Sequence, residues 1–249
     1  MEKECGAACF AGAGSMEIGE DGMSGRLITI EGLDGSGKAT QTELLCGELS
    51  RRGVHPLHVS FPDYESESSA PVRMYLNGEF GKNPEDVNAY AASSFFAVDR
   101  YASYARRWRG DYRNGALIVA DRYTTSNLVY QLPKLPRGEW DTFSDWLLDF
   151  EYAKLGLPAP DLTVYLKMDP QISQMLLDRR YHGDREKRDI HESNGAFLET
   201  CRASAAYAAD RLGWRTVECV QNGALRPAEK ICGDILKIVM GELHLYASV

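Results

Sequence analysis

Leu27-Ile28-Thr29-Ile30-Glu31-Gly32-Leu33-Asp34-Gly35-Ser36-Gly37-Lys38-Ala39-Thr40 decides how the rest of the chain is read. Its first five residues are a short apolar, β-branched run of strand length, and a helical pattern begins at Lys38. Between them Gly32, Gly35, Gly37 and Lys38 spell G-x-x-x-x-G-K. Glycines let main-chain N–H groups turn inward around a phosphate, the helix N-terminus adds partial positive charge, and a lysine ammonium reaches the outer phosphates. A glycine-rich turn can arise by chance, but the strand before it and the helix after it are the surroundings this motif requires. Ala39 departs from the pattern, because a hydroxyl that binds Mg²⁺ is expected there. The metal must then be held by phosphate oxygens, water and carboxylates, with Asp34 the first candidate. Thr40, one position further on, can still donate to a phosphate.

Outward from this stretch, short apolar runs alternate with longer amphipathic ones. Strands are predicted near 27–31, 56–61, 116–121, 162–168 and 215–220, and helices near 38–51, 84–109, 139–155, 170–180, 195–212 and 227–240. Strands that read as near-continuous apolar runs suit a parallel sheet covered on both faces. The fold class is α/β: a P-loop NTPase (Rossmann-like) three-layer sandwich with a five-stranded parallel sheet and a helical lid. Pro84, Pro170 and Pro227 stand near the front of their helices, and Gly53 and Gly213 follow helix ends.

A chain of 249 residues holds one large domain. Residues 24–243 are assigned to it, and 244–249 to a tail. Residues 1–23 are rich in Gly, Ala and Glu without helical or strand period, and are expected to be a disordered extension, with translation starting at Met23. The net charge of -8 argues against a sequence-independent grip on nucleic acid. No apolar run approaches the roughly 20 residues that span a bilayer, and no secretory signal opens the chain, so a cytoplasmic location is expected. The six cysteines are scattered without a C-x-x-C pair and read as buried or incidental thiols.

Further segments narrow the chemistry. Phe61-Pro62 ends the second strand; Phe96-Ala97-Val98-Asp99-Arg100 lies on a helical stretch; Asp121-Arg122-Tyr123 follows an apolar strand. Phe96 and Arg100 share a helix face, so one can meet a flat base and the other a phosphate; read locally, a core aromatic beside an ion-paired arginine fits equally well. Asp121 and Arg122 fall at the carboxyl edge of the sheet, where open α/β folds bind ligands.

In order and spacing these segments, together with the glycine loop, resemble the thymidylate kinase family, from about Ser24 to Leu243. The resemblance implies transfer of the γ-phosphoryl group of ATP to dTMP, giving dTDP and ADP for dTTP synthesis, with Mg²⁺ and a homodimer packed through residues 89–106 and 143–153. It implies that Gly32 to Thr40 bind ATP, that Phe96 stacks on thymine, that Leu76 packs on the base, and that Arg100 and Arg122 approach the dTMP phosphate. Asn127 and Tyr130 match positions that contact thymine and crowd the sugar. Asp34 would lie between the nucleotides, and Asp121 would orient the loop and the waters of the metal.

The charged run Arg179 to Asp189 lacks an apolar stripe and alone would read as a solvated face. Its place after the fourth strand and its helix is where the family carries a lid over ATP. Gly35, after the loop acid, marks the kind of member whose lid supplies the catalytic arginine: Arg185 first, then Arg180 and Arg188. In Asp189-Ile190-His191-Glu192, histidine occupies the place that commonly holds tyrosine, at a position expected to touch thymine. Catalysis is assigned to Asp34, Lys38, Arg122 and Arg185. Kinases of other deoxynucleotides or deoxynucleosides, and a nucleotide-binding regulator without catalysis, remain the alternatives.

Overall fold

Arg26–Glu31 forms β1, the central strand, and five of its six residues are buried. It pairs in parallel with β3 (Leu117–Asp121) on one side and β4 (Leu162–Lys167) on the other. β2 (Leu57–Ser60) adds to β3 and β5 (Arg215–Glu218) to β4, giving a five-stranded parallel sheet in the order β2-β3-β1-β4-β5. The computed structural model describes residues 24–184 and 188–244. The predicted extension 1–23, most of the predicted tail (245–249) and Arg185 lie outside the described residues.

Both faces of the inner strands are covered, as their unbroken apolar runs require. Ile28, Ile30 and Val164 pack with Leu45 of α1 (Lys38–Arg51) and Ile235 of α9 (Ala228–Glu242) on one face. Leu27 and Ile118 pack with Trp108 and Tyr123 on the other. The edge strands depart from this expectation. β2 leaves Leu57 37 % exposed, and in β5 only Val217 is buried, because each has a neighbour on one side only.

Three helices run where the sequence places them: α1, α7 (Pro170–Arg180) and α8 (Gly195–Leu212). The stretch expected as one helix over 84–109 is divided. Pro84–Asp86 is a separate 3₁₀ turn, after which Asn88 caps α3 (Ala89–Ser103) by accepting from the Ala91 N–H. The helix then widens into a π turn, Tyr104–Trp108, and resumes as α4 (Arg109–Arg113). The next predicted helix is likewise α6 (Trp140–Leu148) followed by a π turn, Asp149–Lys154. Pro227 is the N-cap of α9 rather than part of it. Two seven-residue helices, α2 (Ala70–Leu76) and α5 (Thr125–Gln131), and the small hairpin of β6 (Val220–Gln221) and β7 (Ala224–Leu225) had no periodic signal. Two turns of helix are too short to be stable alone and depend on tertiary packing. The carboxyl ends of β1, β2 and β3 deliver the glycine loop, Phe61-Pro62 and Asp121-Arg122 to one edge of the sheet.

Candidate active site

At that edge the glycine loop is shaped by packing and by backbone conformation. Gly35 has φ +76°, and a Cβ there would stand 2.5 Å from the Ser173 carbonyl oxygen of α7. Gly37 has φ +83° with open space around it, so only the left-handed backbone demands glycine. Lys38 lies buried with Nζ donating to the Leu33 carbonyl at 2.9 Å. Burial, with Arg122's charge, lowers its ammonium to about 8 against the pull of Asp34, Asp121 and Glu31. The Ser36 hydroxyl is buried without a hydrogen-bond partner among the described residues.

Arg122 is the hinge of the site. It adopts φ +66°, unusual for a residue with a side chain, and its N–H donates to the Ile30 carbonyl at 3.2 Å. The guanidinium pairs with the Asp34 carboxylate and lies 5.3 Å from the Tyr130 ring centroid. Tyr130 donates its hydroxyl to Asp34 Oδ2 at 2.9 Å. Burial alone would raise the Asp34 carboxyl, but Arg122, Lys38 and the Tyr130 hydrogen bond outweigh it and hold it at about 2.

Beyond this junction opens a cavity of about 280 Å³. Asp34, Gly35, Gly37, Lys38 and Ala39 line its loop end. Phe61, Pro62, Leu76, Phe96 and Asn127 line the aromatic end, where Phe96 meets Tyr75 edge-on at 6.2 Å. Tyr130 and His191 close it, their rings stacked at 5.1 Å and 7°. His191 Nε2 is 2.7 Å from the Tyr75 hydroxyl, which also accepts from Lys134 Nζ at 2.8 Å. Burial, helped by Lys134, lowers the imidazole to about 3, so it is neutral at physiological pH. The histidine thus fills the tyrosine position as a neutral, flat wall.

Not every predicted side chain reaches the wall. Gly32, Leu33, Ser36 and Thr40 are absent from it: a Cβ on Gly32 would meet Ser36 Oγ at 2.4 Å, Leu33 belongs to the core, and Thr40 is exposed on α1. Arg180 and Asp121 do line the cavity, Arg180 reaching Glu192 at 3.5 Å. Arg188 folds back onto α7, pairing with Asp178 at 2.6 Å and with Gln174. Arg100 reaches the cavity but is 2 % exposed, and its guanidinium is committed to Glu151 through contacts of 2.5 and 2.6 Å.

For a metal, the donors are sparse. Asp121 Oδ1 is buried without a hydrogen-bond partner among the described residues, whereas Asp34 is taken up by Arg122 and Tyr130. Among the described residues no group of three or more His, Cys, Asp or Glu could hold a metal ion. That set fits Mg²⁺, which binds through one or two carboxylates, phosphates and several waters.

Several residues of the site were given no role by the sequence, although Asp99 and Asp189 stand inside its motifs. Glu31 is buried and accepts from Thr125 Oγ1 at 2.6 Å and from the Tyr123 N–H at 3.2 Å, anchoring the turn after Arg122 to the glycine loop. Gln131 is fully buried, neither end of its amide has a hydrogen-bond partner among the described residues, and it lines the cavity. Asp99 accepts from the Asp63 N–H at 2.8 Å, pinning the loop that carries Pro62 and Tyr64. Asp189 caps the turn under His191; burial, with Asp34 and Glu192, raises it to about 7.

The profile of the family described as thymidylate kinase matches residues 30–225. A thymidylate kinase of Mycobacterium tuberculosis is 32% identical over 184 residues, covering 73% of this chain and 84% of that protein. One from Caenorhabditis elegans is 28% identical over 221 residues, 84% of this chain and 89% of that one. A solved thymidylate kinase of Candida albicans superposes with a TM-score of 0.65 over 88% of this chain and 93% of its own, at 24% identity, a likeness of fold. With the family profile spanning most of the chain over the glycine loop, the Asp34–Arg122 junction and the aromatic chamber, the chain belongs to the thymidylate kinase family.

Proposed function

We propose that ATP and dTMP meet end to end in this cleft, the ATP phosphates in the glycine loop and the thymine in the Phe96 chamber. The chain is a thymidylate kinase, an ATP-dependent phosphotransferase that gives dTDP and ADP. The observation that carries the arrangement is the Asp34–Arg122–Tyr130 junction, which lies in one wall with both the loop lysine and the aromatic chamber. Lys38 rests on the Leu33 carbonyl and Arg122 on Asp34. From these positions both cations can turn to the transferring group. The attacking oxygen of a nucleoside monophosphate is ionised at neutral pH, so no general base is needed. Transfer depends instead on alignment and on cations around the equatorial oxygens. Arg185 is assigned as a further cation of the lid near 179–192, Arg180 lines the cleft, and lid closure would exclude water that hydrolyses ATP. Asp121 is the carboxylate that would hold Mg²⁺, which when bound would supply positive charge against the phosphates.

The enzyme works as a cytoplasmic homodimer of the 24–243 domain. Exposed Tyr90, Val98 and Tyr101 on α3 support that face, and sedimentation velocity checks it. The activity is tested by mixing the full chain with Mg-ATP and a panel of nucleoside monophosphates and nucleosides. dTMP is expected to give the highest kcat/KM, and preference for AMP, CMP or thymidine overturns the acceptor assignment.

A further inference from the structure

Glu151 is a fully buried carboxylate that touches neither the glycine loop nor the cavity, yet it gathers side chains that do. Its oxygens accept from Arg100 Nε at 2.6 Å and Nη2 at 2.5 Å, from Thr124 Oγ1 at 2.7 Å and from Asn127 Nδ2 at 3.2 Å. It stands in the π turn Asp149–Lys154, in which it is the one buried residue. Such turns place side chains that a regular helix would aim elsewhere.

The chemistry of these contacts orients the two side chains that reach the cavity. A carboxylate paired with arginine can only accept, so the Asn127 amide must turn its NH₂ toward Glu151. A second contact, Nδ2 to the Ser93 carbonyl at 3.5 Å, has the same sense. Oδ1, which makes no hydrogen bond among the described residues, is the end left for a ligand. Arg100 spends two N–H groups on Glu151 and a third near the Tyr123 carbonyl at 3.4 Å, and its remaining N–H groups can serve the cavity. Beside Phe96 the wall therefore offers an arginine donor and an amide acceptor. Thymine carries the complement, an O4 acceptor next to an N3–H donor, whereas cytosine reverses both groups.

We propose that Glu151 is the positioning residue that sets base selectivity, by locking the Asn127 amide and the Arg100 guanidinium in the sense that accepts a keto pyrimidine and rejects an amino one. The inference rests on the reading that the Phe96 chamber holds the base. Its mark is the ratio of kcat/KM for dTMP to that for dCMP, which general loosening of the fold would leave unmoved because both acceptors would suffer alike.

Glu151→Gln keeps the shape but can donate as well as accept, so the Asn127 amide is free to turn over. The dTMP-to-dCMP ratio is expected to fall by about tenfold or more, with KM for ATP within about twofold of wild type. If the neutral residue against buried Arg100 prevents folding, judged by far-UV circular dichroism, Glu151→Asp, which keeps the charge on an arm too short to hold Arg100 and Asn127 together, is measured the same way. A folded variant that keeps the wild-type ratio overturns the proposal. Asn127→Leu, measured in parallel, separates this failure from a failure of the chamber reading. If it leaves KM for dTMP unchanged, the base does not lie there and both fall; if it raises KM while the Glu151 variants keep the ratio, the role of Glu151 alone falls.

Discussion

The two ends of the cleft are built in opposite ways. At the loop end one continuous stretch, Gly32 to Lys38, brings a glycine turn, a helix N-terminus and a lysine to the cleft, and local backbone geometry does most of the shaping. At the aromatic end the wall is made of side chains from at least five separate segments, among them Phe61, Leu76, Phe96, Asn127 and His191. A main-chain cradle suits a phosphate, which every nucleotide carries. Side chains brought from afar suit a base, which must be told from its rivals. Substitutions at the junction should therefore abolish turnover, and those in the chamber should change which acceptor is used.

The largest effect is expected at Arg122. Removing it should lower kcat by about 10³ or more, the scale on which a transferring phosphoryl group depends on its arginine. Arg122→Gly and Arg122→Ala should be equally inactive but not equally stable. At φ +66° alanine carries a strain that glycine does not, about 1 kcal/mol, so the glycine variant should melt about 2–4 °C higher. Equal melting temperatures would mean that the left-handed turn relaxes when the guanidinium leaves Asp34.

Next comes Phe96. Loss of a ring stacked on a base costs about 1–3 kcal/mol, so Phe96→Ala should raise KM for dTMP about 5- to 150-fold while leaving KM for ATP unchanged. Steady-state kinetics with each substrate varied in turn checks this. A matched rise in both constants would break the division of the cleft into two ends.

The smallest expected effect concerns stability behind the chamber. Lys134 is partly buried, donating to the Tyr75 hydroxyl and the Val87 carbonyl, and desolvation there lowers its ammonium from 10.5 to about 7. Between those values the unfolded chain binds a proton that the native state lacks, so the lysine costs stability progressively as pH falls from 10.5, and the cost is complete below about 7. Lys134→Met removes the buried charge. Its melting temperature relative to wild type should rise by at least about 5 °C between pH 9.5 and pH 6. Asp189, raised to about 7, acts in both proteins and cancels in the difference. A flat difference would show that Lys134 reaches water.

Much of the site is legible in the chain's residue order, because its signals are local. Gly32 to Lys38 declares itself by spacing; Phe96 and Arg100 share a helix face; Asp121-Arg122 ends an apolar run. Glu151 could not be found this way, since its partners Arg100, Thr124 and Asn127 lie 51, 27 and 24 residues away and no period links them. The same holds for Glu31, whose hydroxyl partner Thr125 is 94 residues on. Arg100 is the instructive case: the sequence places it on the Phe96 face, which reaches the cavity, and the buried carboxylate beside it takes up part of its guanidinium.

By itself, then, the order of residues determined the parallel sheet, the glycine loop and the sheet edge at which the cavity opens, because strand runs, glycine conformation and helix caps are properties of neighbouring residues. Only the folded chain decided the length of the short helices α2 and α5, the two π turns, and the direction in which each buried polar group points. Those depend on which distant side chain supplies the missing donor or acceptor once water is gone, and a buried group without such a partner costs too much to be left alone.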